Sequence, residues 1–134
     1  MADLEPRIAA EVQLLVARYP GHEFRPDGCW VLLPSVSLIE GWNESVTDLA
    51  FQFPASGYPQ NPFYGFYVPT GLRFNSQLPT NFTDPAAAQP PFPGKTWAFF
   101  SGNPDPWSPD VDILAGSNVL SWIVSINERL REGK

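Results

Sequence analysis

A chain of 134 residues has the length of one ordinary domain, and its 43% apolar and 14% aromatic residues can bury enough surface to offset the entropy of ordering it. The formal charge is −6, and only eight residues are Lys or Arg, which argues against a nucleic-acid partner held by phosphate neutralisation. A single cysteine, Cys29, rules out an internal disulfide, and with a single histidine, His22, there is no His/Cys set for a structural zinc, so no metal or other cofactor is expected.

The N-terminal stretch carries Asp3, Glu5 and Glu11 among its apolar residues, which a secretory hydrophobic region would not tolerate. No apolar run approaches membrane-spanning length, so the expectation is a cytoplasmic protein with no membrane partner. Asn43-Glu44-Ser45 and Asn81-Phe82-Thr83 match the glycosylation pattern, but without a secretory signal they are chance matches in surface loops.

Leu4, Ile8, Val12, Leu15 and Tyr19 recur at helical spacing, with Asp3 available as a cap, Pro6 tolerated in the first turn, and Tyr19-Pro20-Gly21 as a stop. From Glu23 the period changes. Residues 29–33 form a short run of strand formers, and residues 46–53 place Leu49, Phe51 and Phe53 on one face and Ala50 and Gln52 on the other. Residues 63–68 and 96–100 repeat that aromatic, β-prone pattern between turn signals. No helical segment separates successive strands, so the economical arrangement is a four-stranded antiparallel meander. Residues 71–94 are dense in Pro, Asn, Thr and Ala, and have no period; a loop of this length is either a functional site or a mobile flap. A second helix follows, with Val119, Ile123, Ile126 and Leu130 on one face and Trp122 beside them. Ser117 or Asp112 is placed to start it, and Arg129 and Arg131 sit where the helix dipole favours cations. The reading is a single α+β domain over residues 1–134.

The segment from Phe51 reads FQFPASGYPQNPFYGFYVP. It resembles the ubiquitin-conjugating enzymes, in which a strand ends in Phe-Pro, then Tyr-Pro follows, then another proline; here these are Phe53-Pro54, Tyr58-Pro59 and Pro62. Trp107-Ser108-Pro109, ahead of an acidic and then apolar stretch, is similar to the Trp-Ser-Pro that precedes a helix in that family. The likeness is closer to bacterial relatives found beside ubiquitin-like proteins and activating enzymes in conjugation operons, several linked to phage defence. Leu33-Pro34, the Phe66-Tyr67-Val68-Pro69 strand, and Trp97 with Ser101 before the Trp-x-Pro match features of those relatives. The resemblance covers most of the chain and implies a UBC-like fold. Physically, the prolines at 59 and 62 forbid further ladder bonds and redirect the chain, and Trp107 with Pro109 anchors the start of a helix.

Conjugating enzymes carry their modifier as a thioester on a cysteine a short interval before the Trp-x-Pro, commonly after a His-Pro-Asn whose Asn stabilises the oxyanion. In KTWAFFSGNPDPWSP, residues 95–109, there is no cysteine, and no His-Pro-Asn occurs anywhere. Cys29, in the first strand segment, reads as a small buried apolar residue. The resemblance therefore implies one of two roles. The first is a binding module, without catalysis, for a ubiquitin-like protein or its activating enzyme. The second is a serine-dependent transferase in which Ser101, or failing that Ser108, carries the modifier as an oxyester. A serine needs an adjacent base, and the titratable neighbours are Asp105, Asp110 and Lys95. A third class takes Asp105, Asp110 and Asp112 as paired carboxylates or a hard-cation site, against the simpler reading that they cap a helix.

Overall fold

The computed structural model describes residues 5–104 and 106–133. Helix α1 spans Pro6–Arg18. Its cap is Glu5, whose carboxylate accepts from the Ile8 N–H at 3.0 Å; Asp3 and Leu4, expected as cap and first apolar residue, lie outside the described residues. Ile8 and Leu15 are buried, as their spacing predicts.

Among the described residues six strands follow, not four: β1 Glu23–Arg25, β2 Trp30–Ser37, β3 Val46–Gln52, β4 Phe66–Pro69, β5 Phe82–Thr83 and β6 Trp97–Phe100. All neighbours are antiparallel, in the order β1-β2-β3-β4-β6-β5. The expected meander is the inner part of this sheet, β2-β3-β4-β6. The additions are edge strands of three and two residues, too short to show a period, and they form because a partner edge is already there. Cys29 is not in a strand. It sits half-buried in the β1–β2 turn at a positive φ of 54°. The third strand segment begins at Phe66 instead of 63 because Gly65, at φ 71°, turns the chain and lets the Phe99 ring lie against its backbone; a Cβ there would stand 2.2 Å from that ring.

Helix α2 spans Val119–Glu132 and ends at Gly133 in the left-handed conformation. Its cap is neither Ser117 nor Asp112 but Asn118, whose side chain accepts from the N–H groups of Leu120 and Ser121, while Ser121 Oγ accepts from the Asn118 N–H. Both helices cover one face of the sheet, where Leu49, Phe51 and Phe53 meet Ile8, Leu15, Ile123 and Ile126 in the main core.

The 71–94 loop covers part of the other face. Phe92 packs with Trp97 and Ala50, against Trp30, Leu32 and Tyr67. Gln89 acts as a substitute strand residue: its amide oxygen accepts from the Trp97 N–H at 2.8 Å and its amide nitrogen donates to the Trp97 carbonyl at 3.0 Å. Asp84 accepts from the Gly71 N–H and pairs with Arg73 at 3.0 Å. The segment without a period is thus anchored at both ends, by polar side chains that periodicity does not register.

Candidate functional site

The two stretches that carry the family resemblance meet in space. Trp107 Nε1 donates to the Pro59 carbonyl at 2.8 Å, and its ring packs against Phe63 and Tyr58 at centroid distances of 5.8 and 6.1 Å. Phe53 and Tyr58 belong to the same aromatic cluster, 5.2 Å apart.

Beneath them lies a charged group that belongs to neither motif. Glu11 is fully buried at 0% exposure. One carboxylate oxygen accepts from the Tyr58 hydroxyl at 2.5 Å and from the Val119 N–H at 2.6 Å; the other accepts from Arg7 Nε at 2.6 Å. Arg7 donates onward to the carbonyls of Asp110, at 2.5 Å, and Ser117, at 3.3 Å. One carboxylate therefore ties α1 to the Tyr-Pro turn and to the first N–H of α2, where the helix dipole favours negative charge. Burial, together with the hydrogen bond to Glu11 and its charge, pushes the Tyr58 phenol far above its ordinary value, so it stays a neutral donor. A signal was present: Glu11 falls three residues after Ile8 and four before Leu15, on the apolar stripe, one turn from Arg7.

Ser108 is a brace. Its N–H donates to Ser117 Oγ and its carbonyl accepts from the Ser117 N–H, both at 2.9 Å, which closes the loop before α2. Pro109 lines a cleft of about 540 Å³ together with Pro6, Arg7, Pro59, Gln60 and Val111. At its rim, Val111 is 100% exposed, and Leu114 nearby is 75% exposed. The loop carries Asp110 and Asp112, whose Oδ1 atoms accept from the N–H groups of Asp112 and Leu114 at 2.9 and 3.0 Å. They shape turns, and among the described residues no group of three or more His, Cys, Asp or Glu side chains is gathered to hold a metal ion.

Ser101 follows β6 and is half-buried. Its hydroxyl donates to the Asn81 carbonyl at 3.4 Å, and its own carbonyl accepts from Arg129 at 3.4 Å. Among the described residues no titratable side chain is hydrogen-bonded to its Oγ. Lys95 is paired with Asp48, Asp110 is used in its turn, and Asp105 lies outside the described residues. His22 is held at the α1–β1 turn by a 2.8 Å bond between Nδ1 and the Tyr19 carbonyl. Burial pushes the Cys29 thiol up, away from the thiolate a nucleophile needs. Pro54 and Pro62 line a separate groove, on the side of Tyr64 and Phe99.

Trp107→Ala is expected to destabilise the domain by about 3 kcal/mol, near the low end for truncating an aromatic anchor, because the ring is only partly buried. Equilibrium denaturation measures it, and a loss below about 1 kcal/mol would show that the Pro59 bond and ring contacts do not hold the junction.

No family model, curated protein or solved structure matches this chain. No helix among the described residues is long and apolar enough to cross a membrane.

Proposed function

We propose that this α+β domain is a conjugating-enzyme-like component of a bacterial ubiquitin-like conjugation pathway, acting as a non-cysteine binding module for the modifier or its activating enzyme. The observation that carries this reading is the junction of the Tyr58-Pro59 and Trp107-Ser108-Pro109 stretches, whose Pro59 and Pro109 line one cleft, with exposed Val111 at its rim and exposed Leu114 nearby. Two apolar side chains held out from a braced loop, next to a cleft that Arg7 of the buried ionic network helps to line, are the anatomy of a docking site. The carboxylates of Asp110 and Asp112 suit a partner with a basic surface. The alternative, an oxyester carrier on Ser101, asks for a nucleophile from a hydroxyl that, among the described residues, bonds to a backbone carbonyl and to no base.

The test incubates the domain with the modifier, the activating enzyme and ATP. A binding module forms no covalent adduct but associates with one of the two proteins, and Val111→Asp with Leu114→Asp weakens that association by about tenfold or more. Cys29→Ser leaves it unchanged. A reductant-resistant, base-labile adduct that maps to Ser101 and vanishes in Ser101→Ala would establish the carrier instead. No association with either protein would end both readings.

A further inference from the structure

The face of the sheet opposite the helices carries a strip of aromatic rings that no helix covers. Trp30 on β2 meets Tyr67 on β4 at 5.6 Å, Tyr67 meets Phe99 on β6 at 4.8 Å, and Phe99 meets Tyr64 at 6.1 Å. The strip has two halves. Over one half lies the chain's own proline-rich segment, Gln89-Pro90-Pro91-Phe92-Pro93, with Pro90 and Phe92 buried and Phe92 clustered with Trp97 and Ala50, the cluster against which Trp30 and Tyr67 pack. The other half is open: Tyr64 is 62% exposed, and with Tyr67, Phe99, Pro54 and Pro62 it lines a shallow groove of about 260 Å³.

We propose that this open half is a binding site for an extended proline-rich peptide of a partner protein. The occupied half shows which chemistry this face accepts, and the aromatic surface continues past it without a break. The groove lining includes no charged side chain, which disfavours phosphate-bearing and strongly charged ligands. It is formed by the face of a sheet and so offers no row of free backbone groups for an added strand. A polyproline II helix needs neither: it makes no internal hydrogen bonds, presents ring faces for packing, and leaves its carbonyls free to accept. The Tyr64 and Tyr67 side chains, whose hydroxyls bond to no described residue, are the donors for those carbonyls. The ring of Phe99 between them is held in place by Gly65, where a side chain would collide with it. The site is separate from the Val111 cleft, and its existence does not depend on a conjugation role.

The probe is acetyl-decaproline amide, titrated against the isotope-labelled domain by amide chemical-shift mapping, with an acetylated Gly-Ser decapeptide as control. Saturable binding is expected, with shifts centred on residues 52–55, 62–67 and 99. Tyr64→Ala should weaken it about tenfold or more without changing the melting temperature, because this ring is largely exposed. Tyr67→Phe should weaken it about threefold to tenfold, the share of one hydroxyl donor. Absence of saturable binding, equal binding of the Gly-Ser control, or undiminished binding by Tyr64→Ala would each overturn the proposal. So would concentration-dependent self-association that Tyr64→Ala abolishes, since the occupant would then be a second copy of the chain.

Discussion

Glu11→Ala is expected to lower the stability of the domain by about 3–5 kcal/mol, the range for removing one partner of a buried ionic network. The substitution deletes an acceptor that three donors share, and the loss is not confined to a single bond. The Arg7 guanidinium, whose side chain is 11% exposed, loses its counter-ion. The Tyr58 hydroxyl and the Val119 N–H are left without an acceptor in a water-poor junction. Glu11→Gln keeps the shape and one accepting oxygen, so it should cost less than alanine; its amide group, however, turns a donor toward Arg7 or toward the two donors on the other side. Tyr58→Phe removes one donor and leaves the carboxylate its other two, and should cost about 1–2 kcal/mol. Because the groups share one carboxylate, Glu11→Ala and Tyr58→Phe together should cost less than their sum, by about 0.5 kcal/mol or more. Urea denaturation of the four variants tests this. A Glu11→Ala loss within about 1 kcal/mol of zero would show that the carboxylate is not the tie between α1, the Tyr-Pro turn and α2.

Phe63→Ala should be comparably severe, at about 3–5 kcal/mol, because Phe63 is the centre of the aromatic cluster and not a member of its periphery. Its ring lies against Phe51 at 5.6 Å, Phe53 at 5.0 Å, Tyr58 at 5.3 Å and Trp107 at 5.8 Å, and stacks on Trp122 at 5.8 Å with planes 5° apart. It is fully buried, so truncation leaves a cavity whose lining rings are fixed by their own partners and cannot collapse freely. Phe63→Leu retains most of the volume and loses the ring geometry, which should reduce the cost to about 1–2 kcal/mol. The near-ultraviolet signal of Trp107 and Trp122 should change in both variants. A Phe63→Ala loss under about 1.5 kcal/mol would mean that the cluster repacks, and that the junction of the two motif stretches rests on the Glu11 network alone.

Both expectations concern residues whose importance was only half legible. Phe63 was readable as part of an aromatic strand segment, yet it lies before β4, in the irregular stretch that ends at Gly65, and there its side chain enters the core and stacks on Trp122 of α2. Glu11 stood in plain view on an apolar stripe, where a carboxylate signals a buried partner. The Arg7 spacing of four residues pointed to only one of its three donors. Ser101 and Ser108 are candidates only by their position relative to Trp107, and the linear sequence does not distinguish a hydroxyl beside a base from one beside a backbone carbonyl. The structure gives Ser101 a carbonyl neighbour and makes Ser108 a brace through its backbone.

By itself the sequence determined the α+β class, the two amphipathic helices, the four inner strands and the lack of a cysteine between Trp97 and Trp107. Each of these follows from local periodicity, breaker placement or residue identity. Only the tertiary structure decided that the 71–94 loop covers the second face of the sheet, that two edge strands extend the meander, and that the motif stretches close over a buried carboxylate. Those outcomes depend on partners far apart in the chain: Glu11 with Tyr58 at a separation of 47 residues, Pro59 with Trp107 at 48, and Glu11 with Val119 at 108. No window of local pattern spans such distances, and a polar group reveals its burial only once the elements that enclose it have packed.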